Sequence, residues 1–169
     1  MRGKLILLLL ALLSIVAAVA GSPSPAAGNV TQSATGSGQL EFTTDGVTAL
    51  RTFAFEATKA SDGSVSGEAQ IDNRSVPGRL HIQIDCLNVV GNDAVMSGTI
   101  TSSTEAGVPV GASSIFGVQD NGEGAGSAPD RITQQFANSA LVCTDITPSN
   151  VGLFTHFLMD LEAGNIQVH

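Results

Sequence analysis

The sequence predicts an all-β protein, an antiparallel meander of about eight strands that forms a closed or nearly closed barrel. Apolar and polar side chains alternate along most of the chain, which is the period of a strand with one buried face. Turn dipeptides separate these segments at nearly even intervals. Long strands joined by tight hairpins favour a barrel, because closure removes the strand edges. A two-sheet β-sandwich is the alternative.

The first twenty of the 169 residues have the pattern of an export signal. Met1–Lys4 is basic, and Leu5–Ala20 is apolar apart from Ser14 and ends on the small-x-small pattern that signal peptidases cut. This apolar run of 16 residues is shorter than the ~20 that a membrane-spanning helix needs. We therefore expect a signal peptide over residues 1–20, a secreted product, and no membrane insertion after cleavage.

The segment after the signal is rich in Ser, Pro, Ala, Gly and Thr. This composition is typical of a flexible spacer, which we predict over residues 21–38. The remaining residues, 39–169, have the length of one domain, and we predict a single β-domain there.

Four segments show the alternation of strands most clearly. Their inward positions are Leu40 and Phe42; Phe53, Phe55 and Ala57; Leu80, Ile82, Ile84 and Cys86; and Met96, Gly98 and Ile100. Val151–Glu162 fits a helix, because Leu153, Phe157 and Leu161 are four residues apart, but it also fits a strand. The sequence does not decide whether this segment is a helix or a strand.

Four dipeptides predict the turns between strands: Asp45-Gly46, Asp62-Gly63, Pro77-Gly78 and Gly91-Asn92. Glycine adopts positive φ at no steric cost, which tight hairpin turns require. The dipeptide Pro77-Gly78 is suited to a type II turn.

The chain is acidic, with 15 Asp and Glu against seven Lys and Arg and a net charge of −8. Loss of Arg2 and Lys4 with the signal peptide makes the charge of the mature protein −10. This balance excludes nucleic acid and anionic membrane surfaces, which bind clustered basic residues. The absence of Trp and Tyr removes the rings that sugar-binding and protein-binding faces often use. We expect a monomer with an unidentified extracellular partner.

The two cysteines, Cys86 and Cys143, predict a disulfide, because an even pair in an oxidising compartment is usually bonded. The bond would close a loop of 57 residues and stabilise the fold by ~4 kcal/mol. Two buried thiols are the alternative. A metal site at these cysteines is disfavoured, because no third Cys and no His stands at ligand spacing.

The segment Asp120–Asp130 is the strongest candidate for a binding site. It combines three carboxylates, an amide and three glycines, and Ca²⁺ binds oxygen atoms from such groups. The candidate calcium ligands are Asp120, Asn121, Glu123 and Asp130. The spacing does not match an EF-hand loop, and a solvated Gly-rich connection is the alternative. Apart from this possible calcium ion, we expect no cofactor.

Catalytic signals are weak. His81, Gln83 and Asp85 share one face of a predicted strand, and a His near an Asp could serve acid–base chemistry. The same pattern is that of any solvated strand face, and the chain has no Gly-x-Ser-x-Gly nucleophile motif. We therefore expect no enzymatic activity and assign no catalytic residues. A barrel with an open mouth could instead carry a small ligand.

Three segments together resemble a known group of proteins. They are Cys86–Asn92 (CLNVVGN), Asp120–Gly124 (DNGEG) with Pro129-Asp130, and Gly164–His169 (GNIQVH). The pattern is similar to a group of small exported bacterial proteins, of actinobacterial type, that have no assigned activity. The resemblance implies a bacterial origin and brings no catalytic residues with it.

These observations predict a secreted, non-enzymatic β-domain with a structural or partner-binding role. The alternatives are a calcium-stabilised module that uses the 120–130 loop, and a small-ligand carrier barrel.

Overall fold

The computed structural model describes residues 29–44, 46–74, 78–147 and 149–169. The predicted signal peptide, residues 21–28 of the predicted spacer, and Asp45 and Pro77 of two predicted turns lie outside the described residues. Within those residues, no helix has the length and apolar character needed to cross a membrane.

The described residues form ten strands and two short helical elements. The strands are β1 (Val30–Thr44), β2 (Val47–Ala60), β3 (Val65–Asn73), β4 (Gly78–Val90), β5 (Asp93–Ser103), β6 (Ser113–Gln119), β7 (Arg131–Thr133), β8 (Phe136–Ala137), β9 (Leu158–Asp160) and β10 (Ala163–Val168). A 3-10 turn, Cys143–Asp145, and the helix α1, Val151–Thr155, lie between β8 and β9. The all-β prediction is confirmed, and the segment whose type was open, Val151–Glu162, contains both α1 and β9.

All strand pairs are antiparallel, in the order β10-β1-β2-β3-β4-β5-β6-β7-β9, and β8 also pairs with β6. The predicted meander is therefore confirmed. The sheet curls into a half-barrel that is open, because its ladder ends at β10 on one side and β9 on the other in the described part of the chain. In that part of the chain, the sheet does not close into a full barrel, and it does not split into the two packed sheets of a sandwich.

The predicted spacer is wrong over residues 30–38, which form the first half of β1. Gly36 and Gly38 lie directly opposite Phe55 and Phe53 of β2. A Cβ atom at Gly36 would lie 2.8 Å from the Phe55 ring and 2.8 Å from Ile166. These glycines make room for neighbouring side chains, so the Gly-rich composition marks close packing within a strand instead of a linker.

The inner face of the curled sheet holds the main hydrophobic core. Phe55 stacks on Phe53 with ring centroids 6.0 Å apart and meets the edge of Phe116 at 5.8 Å. The largest buried side chains of this core include Leu40, Leu80, Ile82, Ile84, Leu87, Met96, Ile100, Phe116, Val118 and Ile166. The interior that a carrier would use for its ligand is therefore occupied by the protein's own side chains.

A second, smaller core lies on the other side of the sheet. Val95 of β5 and Ile115 of β6 pack with Cys143 and Ile146, and Phe136, Val151 and Phe154 add to this cluster. We call the segment 136–157 that supplies these groups the cover. The predicted disulfide between Cys86 and Cys143 is confirmed, with Cα atoms 5.7 Å apart, and it fastens the cover to β4.

Replacing Gly36 should destabilise the protein, although the residue lies in a Ser- and Gly-rich stretch. We expect Gly36→Val to lower the free energy of unfolding by about 1–3 kcal/mol, because the new side chain collides with Phe55 and Ile166. Ser37→Val is the matched control, since Ser37 is exposed and β-branched residues suit strands. Urea unfolding measures both variants, and equal stability of the two would contradict this packing.

Removing the disulfide should also be costly. We expect Cys86→Ala/Cys143→Ala to lose ~4 kcal/mol of unfolding free energy, because the unfolded chain regains the freedom of a long loop. Differential scanning calorimetry at fixed pH would show the loss. An unchanged melting temperature would mean that the cover stays in place without its covalent link.

Candidate functional site

The predicted calcium loop lies beside the outer edge of β10. This strand pairs with β1 on one side, and the N–H groups of Ile166 and Val168 point to the other side. The Ile166 N–H donates to Oδ2 of Asp130 at 2.7 Å, and the Val168 N–H donates to Oδ2 of Asp120 at 3.1 Å. We call this junction between β10 and the 120–130 loop the seam. At the seam, side-chain carboxylates of the loop accept the backbone N–H groups of β10, which no strand of the described residues pairs on this side.

The second oxygens of Asp120 and Asp130, and one oxygen of Glu123, also accept hydrogen bonds. Oδ1 of Asp130 accepts the N–H of Asn121, and Oδ1 of Asp120 accepts the N–H of Gly122, each at 2.8 Å. Oε1 of Glu123 accepts the Asn165 amide at 3.1 Å and the Gln167 amide at 3.0 Å. We call Asp120, Glu123 and Asp130 the carboxylate latch, because all three hold β10.

The loop therefore does not present the arrangement that calcium needs. The oxygens of Asp120 and Asp130 point at N–H donors, and the side chain of Asn121 donates to the Pro129 carbonyl at 2.6 Å. Among the described residues, no group of three or more His, Cys, Asp or Glu is placed to hold a metal ion. The four predicted ligands are neighbours in space, but the structure does not assemble them into a coordination shell.

Three segments singled out in the sequence, Cys86–Asn92, Asp120–Gly124 and Gly164–His169, meet at the seam. Asp120 and Gly122 belong to the second segment, and Ile166 and Val168 to the third. The first segment joins them through Asn92, whose side-chain amide donates to the Asp120 carbonyl at 2.7 Å. The Asp120 N–H in turn donates to the Asn92 carbonyl at 2.9 Å. These three segments thus contribute to the junction between β10 and the loop that connects β6 to β7.

A second candidate site is the outer face of β1–β3 and of the first half of β4, up to Gln83, which we call the open face. The cover packs against β5 and β6, whereas the outward side chains at Thr35, Glu56 and Glu68 are exposed. Two adjoining depressions, of about 310 and 350 Å³, lie over β2, β3 and β4. Glu56 and Glu68 line both of them.

Glu56 and Glu68 lie directly opposite each other on β2 and β3. Like charges in this position destabilise a sheet. Neither carboxylate is in an ion pair among the described residues. Asp72 on the same face differs, because Arg79 donates to it at 2.8 Å and this hydrogen bond lowers the pKa of the Asp72 carboxyl. The sequence analysis did not single out this pair of glutamates.

The three residues considered for catalysis, His81, Gln83 and Asp85, do not line one common pocket. His81 lines the first depression with Glu56 and Glu68, and Gln83 lines the second. Asp85 lines neither of these two depressions. The face therefore offers hydrogen-bonding and acidic groups over a broad, shallow area.

One buried polar cluster was not foreseen. Arg51 lies on the inner face of the sheet and is 6% exposed. Its Nε donates to Oδ1 of Asn73 at 2.7 Å, and the Asn73 amide donates to Oε2 of Glu105 at 3.1 Å. The guanidinium also lies 4.4 Å from the centre of the Phe42 ring. Burial lowers the pKa of Arg51, and the charge of Glu105 opposes that shift. The sequence alone could have indicated the burial of Arg51, because Arg51 stands two residues before Phe53 and therefore on the same, inward face of the strand.

Comparison of the chain with protein-family models, with curated proteins and with solved structures gives no match.

The latch should contribute to stability without any metal. We expect Asp130→Ala to lower the free energy of unfolding by about 2–4 kcal/mol, because the Ile166 and Asn121 N–H groups lose their acceptors. Glu162→Ala, an exposed acidic residue at the β9–β10 corner, should change it by less than about 0.5 kcal/mol. Equal effects in urea unfolding would show that the seam is not held by this carboxylate.

Calcium should leave the melting temperature unchanged. A bound ion at 100 times its dissociation constant would stabilise the fold by ~2.7 kcal/mol. We expect superimposable melting curves in EDTA and in millimolar CaCl₂. A reproducible upward shift in calcium would restore the calcium-module hypothesis.

Proposed function

We propose that this chain is an exported, non-enzymatic β-domain that binds a partner through its open face. The observation that carries the proposal is the uneven covering of the sheet. The cover lies over the outer side of β5 and β6 and is fastened to β4 by the disulfide, while none of the described outward side chains of β1–β3 is fully buried. The disulfide suits an oxidising compartment, which agrees with export.

The charges on the open face suggest the chemistry of the partner. Glu56 and Glu68 are adjacent, exposed, and not neutralised by a basic side chain among the described residues. A pair of like charges that costs stability is better explained by binding than by folding. We infer that Lys or Arg side chains of another macromolecule neutralise these two carboxylates.

The surroundings of the two glutamates fit an extended, hydrogen-bonding chain. The depressions they line also contain Thr35, Thr58 and Gln83, which donate and accept hydrogen bonds without charge. The chain has neither Trp nor Tyr to stack on a sugar ring. A basic polypeptide segment is therefore the partner class that the open face suits best.

A lysine-rich synthetic peptide is a suitable probe for this proposal. We expect it to bind the protein at low salt, and to bind less tightly as salt is raised. Glu56→Gln and Glu68→Gln should each weaken binding by up to about fivefold, as loss of an exposed ion pair allows. Isothermal titration calorimetry measures these affinities. Each variant should also unfold at a higher urea concentration than the wild type, because the like-charge contact is gone.

Glu162→Gln is the matched control, since it removes the same charge at the β9–β10 corner. It should leave the affinity for the peptide nearly unchanged. If all three variants lose affinity equally, net charge alone attracts the peptide and the open face is not the site. If the wild type does not bind the peptide at low salt, the proposed partner chemistry is wrong.

A further inference from the structure

Asn121 is followed by glycine, and no other asparagine in the chain is. Asparagine is a thermolabile residue, because the backbone nitrogen of the next residue can attack its side-chain carbonyl carbon and displace ammonia. A side chain on that next residue hinders the attack, so glycine permits it most readily. The dipeptide Asn121-Gly122 is therefore the position in this sequence where the reaction is chemically most favoured.

The structure leaves this dipeptide open to water. Asn121 is only half-buried, and Gly122 is exposed. A Cβ atom at Gly122 would meet nothing within 4 Å beyond the neighbouring residues of the chain. No packed side chain therefore shields the nitrogen that would attack.

Cross-loop hydrogen bonds restrain Asn121 while the seam is closed. Its side-chain amide donates to the Pro129 carbonyl at 2.6 Å, and its N–H donates to Oδ1 of Asp130 at 2.8 Å. Both contacts break when the two arms of the loop separate. We therefore expect the side chain to react when the loop opens, so that the seam sets the rate.

We propose that Asn121 is a site of spontaneous deamidation, and that the reaction opens the seam. The Gly122 nitrogen bonds to Cγ of Asn121, the bond from Cγ to Nδ2 breaks, and ammonia leaves with the proton of the Gly122 N–H. Water then opens the resulting succinimide ring at one of its two carbonyl carbons, and the nitrogen regains a proton from that water. The product is aspartate or isoaspartate.

Both products disrupt the junction. The new carboxylate has no hydrogen to donate to the Pro129 carbonyl, and it adds a negative charge beside Asp120 and Asp130. Isoaspartate also inserts a methylene into the backbone between Asp120 and Asp130, the two residues that hold the N–H groups of β10. The spacing of these two acceptors then no longer matches the strand.

Ageing the full, disulfide-bonded protein at mildly alkaline pH tests the reaction. Peptide mass spectrometry should show that the side-chain NH₂ of Asn121 is replaced by OH, with isoaspartate in part of the product. Asn165 is the internal control and should stay intact, because it is exposed but followed by isoleucine. An intact Asn121, under conditions where the guanidinium-unfolded chain reacts, overturns the proposal.

The native and unfolded rates also measure the restraint. We expect Asn121 to react at least about tenfold more slowly in the native protein, because the loop must first open locally. Equal rates in the two states would show that the seam does not set the rate, and would overturn that part of the proposal.

Two substitutions test the effect of the new charge. Asn121→Asp reproduces one product, and Asn121→Ala removes the amide without adding charge. We expect Asn121→Asp to melt about 3–6 °C below the wild type at low salt, and Asn121→Ala to show a smaller shift. Salt should narrow the difference between the variants, because it screens repulsion. An Asn121→Asp protein as stable as the wild type contradicts the predicted damage.

Hydrogen exchange shows whether the seam opens. Anion-exchange chromatography separates the aged, more acidic wild-type protein from the intact one. The amides of Ile166 and Val168 should exchange at least about tenfold faster in the deamidated protein, whereas those of β4 should keep their rates. Unchanged exchange at Ile166 and Val168 would mean that deamidation leaves the seam closed, and would overturn the proposal.

Discussion

Two hydrogen bonds, from the backbone of β10 to the carboxylates of Asp130 and Asp120, join one end of an open sheet to the loop between β6 and β7. A curled sheet without such a junction would expose a row of peptide groups beside its own hydrophobic core. Hydrogen bonds to a charged acceptor are stronger than those between neutral groups, so few are needed. The core around Ile166, which is fully buried, depends on this junction.

The strand pattern and the hairpins could be predicted because they depend on local rules. The alternation around Phe53 and Ile82 fixes which side chains face inward, and Gly63 and Gly91 adopt the positive φ that the predicted turns require. The disulfide followed from the number of cysteines and the expected compartment. The first half of β1 was missed because composition alone does not distinguish a linker from a strand whose glycines make room for rings. Extending the hairpin at Gly46 backwards would have placed Gly36 opposite Phe55.

The candidate sites were harder to predict, and the reason is chemical. A loop whose carboxylates accept backbone N–H groups and a loop whose carboxylates bind calcium contain the same residue types at similar spacing. The donors, at Ile166 and Val168, are more than thirty residues away along the chain, so only the fold reveals them. The pairing of Glu56 with Glu68 could have been predicted more easily, because the turn at Gly63 sets the register between β2 and β3.

The ladder between β1 and β10 joins the beginning of the described chain to its end, with Ala34 opposite Val168. A polypeptide is made from its amino end, so β1 exists long before β10. Its neighbour on one side, β2, follows at once through a tight hairpin, but its neighbour on the other side, β10 (Ala163–Val168), follows more than a hundred residues later. Contacts between such distant segments slow folding, because the intervening chain must first be ordered. Pairing of β1 with β10 therefore becomes possible only after the strands between them in the chain have been made.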